Sequence, residues 1–600
     1  NPPYSAQQSS QNNNNQNLPY PTLDARIRDT YAAQSVAANK KNLYDSYIRA
    51  IRWASDRIGE RGIVSFVTNG SFLDHNNMDG LRKCLSNDFS HLYLLNLRGF
   101  IRGKSKDLSK REGGSIFDIL TGVAITIMVK DPAHVGLCEL CYHDIGDFLS
   151  REEKLQIIDR FGNIGAIDWQ RLYPNDSGDW INQRDPAFDK FMPLTTADSV
   201  DSLFGIWSNG LLAARDAWVY NYSRSALSGN MARMSATYNE EVNRYEALCR
   251  GKTKDQWPDP EKVVEKDPKK ISWTSSLLPN VARGRKAIFD QSRIVASMYR
   301  PFSKCHCYYD NMMNHRVAQW PKLIPSPKHK NVVISSIGVA DRKGYSAFIT
   351  DQIPDYHLTD TGTCFPLYWY EKTDNSAKPQ GEMFGSAGSP DADGYVRRDA
   401  ITDWALDTFL SHYSDASISK EDIFWYVYGL LHSPEYKQRF SADIKKMLPR
   451  IPFAQDFWAF SNAGRKLGGW HLNYESVEPY SLAESHRLVM EDADYRVSKM
   501  VFGKKEGKPD KTTIIYNAHL TLRDIPLEAY DYVVNGKSAI EWIMERYQIT
   551  TDKTSGIQND PNQWSGDPKY ILNLLKRIVR VSVESCRIVK GLPPLLEARG

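Results

Sequence analysis

Cysteine is scarce, at eight in 600 residues. That is too few for a disulfide framework, and a reducing cytoplasm is the expected compartment. No run of about 18 apolar residues occurs, so no membrane-spanning helix is expected. No secretory leader is expected either. Neither sign of charge dominates: 76 Lys and Arg stand against 72 Asp and Glu, a net +4. Any surface for a polyanion must therefore be a local patch. The chain lacks a glycine-rich turn between a strand and a helix. Gly385 to Gly388 lie in a Ser/Pro/Asp-rich loop, and Gly468-Gly469 follow a helical pattern. Cys138 and Cys141 with His143, and Cys305 with Cys307, lack a complete four-ligand spacing, so no metal is expected. The remainder is ordinary for a globular protein, 41% hydrophobic and 25% charged, and long enough for several domains.

The first four residues carry the chemistry. Asn1-Pro2-Pro3-Tyr4 couples a side-chain amide and a backbone carbonyl to two rigid rings and an aromatic face. An exocyclic amine on a nucleobase is a poor nucleophile, because its lone pair is delocalised into the ring. Two acceptors on its hydrogens, Asn1 Oδ1 and the Pro2 carbonyl, release that pair. The prolines fix both acceptors in advance, and Tyr4 offers a surface for a base taken out of the stack. The tetrapeptide resembles the active-site motif of amino-methylating DNA methyltransferases. A bare Asn-Pro turn is the plainer reading. The polar run 7–17 is expected to be a loop.

Helical periodicity covers 42–58 through Leu43, Tyr47, Ile51, Ala54 and Ile58, and a second helix is expected near 78–85. Apolar strands are expected at 62–68, 91–97, 122–129 and 137–142. Such alternation predicts a mostly parallel α/β sheet ending in a hairpin of the last two strands. Residues 98–114 read as a basic loop carrying Arg102, Lys104, Lys106, Lys110 and Arg111, suited to phosphates or simply solvated. The helix with Tyr47, the 62–67 strand, and Ile116-Phe117 ahead of a Gly-Val-Ala-Ile strand together resemble the second half of a gamma-class adenine methyltransferase. The resemblance implies that Tyr47 lines the adenine end of S-adenosylmethionine and that Phe117 packs on the flipped base. Both residues also suit a core. The main cofactor-binding motif of such enzymes is absent here, so the chain is expected to be the C-terminal part of a longer polypeptide and to bind cofactor poorly alone.

Farther on, Ser150 to Glu153 form a capping box, and helical patterns recur at 199–215 and 236–250. Residues 252–270 read as an exposed loop. From 293 the chain turns aromatic and basic, with Arg316, Lys322, Arg342 and Lys343 as candidate DNA contacts. Much of that aromatic content is expected to be core. A second capping box at Ser419 opens a strongly apolar helix, and further helices are expected at 456–466, 538–547 and 570–583. The stretches Tyr299-Arg-Pro-Phe302, Cys364-Phe-Pro-Leu-Tyr368, 419–436 and 534–544 resemble the specificity region of type ISP restriction–modification enzymes. That resemblance implies an α/β fold: a partial Rossmann-like methyltransferase domain over 1–160, a connecting helical region or the start of the recognition domain over 161–290, and a mixed α+β target recognition domain over 291–600. It implies adenine-N6 methylation of double-stranded DNA, with nuclease and ATP-dependent translocase parts upstream in the same polypeptide. Two rivals stay open: a DNA-binding specificity subunit without chemistry, and methylation of RNA or a protein amide.

Overall fold

The computed structural model describes residues 2, 19–37, 39–101, 104, 106–117, 119–196, 200–338, 343–373, 390–486 and 489–595. The chain divides into two compact units. The first holds 1–189 with 339–344 and 440–447, and the second holds the remainder. The division falls later than the expected boundary at 160, because Trp180 is buried against Phe72 in the core of the first unit. Residues 190–290 share a core with the chain that follows.

The first unit opens with α1 (Pro21–Ile27), which continues as one wide turn to Ala32. Helix α2 covers Ser46–Arg57. It starts later than the periodicity suggests, because Asp45 is extended and its side chain caps the helix by accepting from Tyr47 N. Then follow β1 (Gly62–Asn69), α3 (Asp79–Asp88), β2 (His91–Asn96), α4 (Lys106–Glu112), β3 (Val123–Lys130), β4 (Glu139–Asp144), α5 (Arg151–Phe161) and β5 (Gln170–Leu172). The Ser150–Glu153 capping box starts α5 as expected.

The sheet order is β1-β3-β2-β4-β5. The expected terminal hairpin of β3 and β4 is not present. Instead β3 wedges between β1 and β2, antiparallel to both, and β4 lies parallel to β2. Strands β1, β2 and β4 therefore run the same way, while β3 and β5 run against them. The physical reason is pairing over distance. Val123 to Lys130 alternate buried positions that complete the sheet centre, whereas β4 begins with a half-exposed Glu139. Register brings Asn96 beside Asp144 on the parallel pair.

The second unit contains a four-stranded sheet built on the hairpin Ile294–Arg300 and Ser303–Tyr308. A second four-stranded sheet centres on Val333–Ser336 and Thr363–Pro366, both fully buried. A third runs through Leu520–Arg523 and Lys508–Ile515. The expected helix at 199–215 is absent from the described residues 200–215. There the chain pairs in short pieces: Ser208–Asn209 with Cys364 and Thr363, Leu211 with Asp355, and Leu212 with Arg316. Long-range pairing overrides local periodicity, and Asp201 and Ala214 have positive φ. Helix Arg224–Cys249 is longer than the 236–250 pattern. Helices Lys420–Leu430 and Phe457–Leu472 cross at a glycine contact: a Cβ on Gly464 would lie 1.9 Å from the Trp425 carbonyl oxygen, and one on Gly429 2.1 Å from that of Phe460.

Candidate functional site

In an α/β sheet, ligands bind beyond the carboxyl ends of parallel strands. In the first unit a cleft of about 840 Å³ lies at that end. It is lined by Gly70 after β1, by Asn96 at the end of β2 and Arg98 and Phe100 after it, and by Tyr142 and Asp144 of β4.

The floor is a fixed polar set. Asn96 Nδ2 donates to the Tyr142 hydroxyl at 3.0 Å and to Asp144 Oδ2 at 3.4 Å, while Tyr142 donates to Asp144 Oδ2 at 3.0 Å. Asp144 Oδ1 accepts from Gly146 N at 2.9 Å and from Arg98 Nε at 2.5 Å. Arg98 also pairs with Asp147, which Arg111 Nε reaches at 3.0 Å. Burial opposes the charge of Arg98. Asp144 and Asp147 outweigh it, and the guanidinium is held charged. Burial, with Asp144 adding to it, pushes the Tyr142 phenol up, so it acts as a neutral donor.

The wall is aromatic and cationic. Phe100 meets the His75 ring edge-on at 6.2 Å, and Lys104 Nζ lies 5.1 Å from the Phe100 centroid and 2.5 Å from Glu112 Oε1. The opposite wall is pinned from below. Fully buried Arg82 donates to the carbonyls of Phe72, His75 and Gly178 at 2.9, 2.9 and 2.6 Å. Asp179 accepts from Arg184 at 2.8 Å and pairs with Lys446 at 3.0 Å. Although burial opposes its charge, Arg184 and Lys446 hold its carboxyl down to about 2.

Of the expected site residues, Lys104 and Arg111 line the cleft. Asn1, Pro3, Tyr4, Arg102 and Arg342, the run 7–17 and the Lys106 side chain lie outside the described residues, and Pro2 is half-buried. Tyr47, placed by resemblance at the cofactor, is a core residue here at 1% exposure, packed among residues that include Tyr31 and Leu43. Phe117 is 46% exposed and does not line the cleft, while its neighbour Ile116 is buried. The basic stretch contains helix α4, and its Arg98, Lys104 and Arg111 are paired with carboxylates rather than free. Lys110 is exposed. In the second unit Arg316 and Lys322 are exposed, and Lys343 is half-buried and grouped with the first unit. Sequence reading missed Asn96, Phe100, Tyr142, Asp144 and Asp147. The available signal was the polar residue closing each parallel strand.

The architecture defines an α/β protein with its cleft at the strand ends of one sheet, joined to a larger unit of mixed helices and sheets. The chain matches the Type ISP C-terminal specificity domain over residues 202–574, and it belongs to that family. It is similar to a nuclease-deletion mutant of the Type ISP restriction–modification enzyme LlaGI, solved in complex with a DNA substrate mimic. Identity is 38% and TM-score 0.83, covering 100% of this chain and 52% of that one. It is similar to the ATP-dependent Type ISP enzyme LlaBIII bound to DNA, at 37% identity and TM-score 0.83, covering 99% of this chain and 37% of that one. A DrdV–DNA complex shows 31% identity and TM-score 0.80, covering 99% of this chain and 56% of that one. The chain thus spans roughly a third to just over half the length of these proteins. No curated protein matches it.

Proposed function

We propose that the chain is the base-handling half of an adenine-N6 DNA methyltransferase together with the target recognition part of a Type ISP restriction–modification polypeptide. Nuclease and ATP-dependent translocase parts belong to the same polypeptide in this reading. The observation that carries it is the cleft at the ends of β1, β2 and β4. Its aromatic wall and fixed hydrogen-bonding floor suit an extruded base. The likeness to three DNA-bound relatives supports the duplex as partner.

In this reading the main S-adenosylmethionine site belongs to the upstream half of the methyltransferase, since this sheet holds no glycine-rich strand-to-helix turn among the described residues. On its far side β1 has no neighbour among the described residues, which leaves room for a cofactor-holding half of the sheet. That cofactor supplies a methyl group activated on a sulfonium. The residues of this chain act on the base: Asn1 Oδ1 and the Pro2 carbonyl accept from its exocyclic amine, and Tyr4 stacks on its face. No nucleophilic side chain is needed. Orientation and placed acceptors lower the barrier.

The test joins the chain to its upstream half and follows methyl transfer to duplex DNA. Asn1→Ala is expected to lower the rate about 100-fold, the scale for losing one preorganised hydrogen-bonding group at a reacting centre. Undiminished transfer removes the mechanism and favours a specificity subunit without chemistry.

A further inference from the structure

In the second unit, a second cleft of about 460 Å³ lies between helix Arg224–Cys249 and the segment 555–563. The helix buries one face, with Leu227, Met231, Met234, Tyr238 and Val242 in the core. The other face presents Asn230 and Arg233, three residues apart and so side by side. Across from them stand the exposed side chains of Gln558 and Gln563, with Lys269 at the margin. The backbone beneath Gln558 is fixed. Buried Asn221 donates to its carbonyl at 3.0 Å, and Asn559 Oδ1 accepts from Tyr222 N at 2.9 Å. Arg233 is preset as well: its guanidinium lies 5.1 Å from the Trp218 ring centroid, and Nη2 donates to Asn230 Oδ1 at 3.3 Å.

Charge pairing separates this cleft from the first. There Arg98, Lys104 and Arg111 each meet a carboxylate. Here none of the ion pairs among the described residues engages Arg233 or Lys269. The one acidic lining residue, Asp560, is already bonded to Arg496 at 2.8 Å and to Asn562 at 2.7 Å. Apolar lining is limited to Ala226 and Ile557, too little to bury a small organic ligand. A site for phosphate alone would need cations and no cluster of amides. Carboxamides bidentate to adenine and a guanidinium bidentate to guanine are the side chains that read base edges in a major groove. Holding them on a rigid helix and an anchored strand lowers the entropy lost on binding.

Resting on the reading above, we infer that this cleft reads base edges of the DNA target, with Arg233 and Gln558 setting specificity at different base pairs. The experiment selects bound duplexes from a randomised pool with the whole chain, then repeats the selection with Arg233→Ala, Arg233→Lys and Gln558→Ala. These side chains are exposed, so unchanged melting is expected. Wild type should return one sequence motif. Each variant should return the same motif relaxed at one or two base pairs, with preference there reduced about tenfold or more, the scale of one bidentate contact. Arg233 and Gln558 variants should relax different positions. An unchanged motif in all three overturns the inference while leaving the DNA-recognition reading intact. Uniform weakening on every duplex also overturns it, assigning the cleft to backbone contact. If wild type returns no motif, the broader reading fails instead.

Discussion

Two buried histidines make the second unit acid-sensitive by an amount that can be calculated. His471 and His432 are both buried. Ser585 Oγ donates to the Val581 carbonyl at 2.6 Å and so accepts from His471 Nε2 at 2.8 Å, which leaves Nδ1 to accept from the Tyr428 hydroxyl at 2.6 Å. A second proton on the ring would face that hydroxyl's hydrogen. Burial, aided by Lys437, pushes His432 down to about 3, and burial with the neighbouring His432 lowers His471 strongly. The unfolded chain binds a proton near pH 6.5. Between the two values the unfolded state carries more protons, so stability is full above about pH 6.5 and falls as pH drops. At about 1.4 kcal/mol per pH unit, each histidine costs about 2 kcal/mol at pH 5, and the pair about 4. Urea unfolding between pH 5 and 7.5 measures this. His432→Gln should be less stable at pH 7.5, with the fall to pH 5 reduced by about 2 kcal/mol. An equally steep fall in the variant refutes the assignment.

Gly464→Ala should destabilise the second unit by about 3 kcal/mol in thermal melting, because its methyl would overlap the Trp425 carbonyl. Gly469→Ala, on the same helix with open space around it, should be neutral or stabilising by up to about 1 kcal/mol. In the first unit, Arg98→Ala removes the common partner of Asp144 and Asp147. Duplex binding at low salt should weaken by about tenfold, because Asp144 then loses its cation while Asp147 keeps Arg111. Arg98→Lys should restore part of it.

Local signals were legible and distant ones were not. The capping boxes at Ser150 and Ser419 start helices where the sequence places them. The closing helix begins at Tyr570 as read and runs to Lys590, past the expected end at 583. In the aromatic stretch, Phe302, Tyr308 and Trp320 are core, as composition suggested. The β3 wedge could not be read, since an apolar strand carries no mark of which neighbour it will join. The failure at 199–215 has the same origin: several partners far along the chain capture short segments before a helix forms. The cleft's floor escaped for a related reason. Asn96 meets Asp144 through a parallel register, and only the folded sheet states that register. Family motifs supplied the class, while the burial of Tyr47 in the core is stated only by packing.

The inverted third strand also imposes a timetable. Strands β1 and β2 are not partners, and each depends on β3 for its hydrogen bonds on the facing side. A chain emerging from the ribosome therefore carries two unsatisfied ribbons until Val123–Lys130 has been made. Only then can the gap close from the centre, so the order of synthesis and the order of sheet assembly diverge.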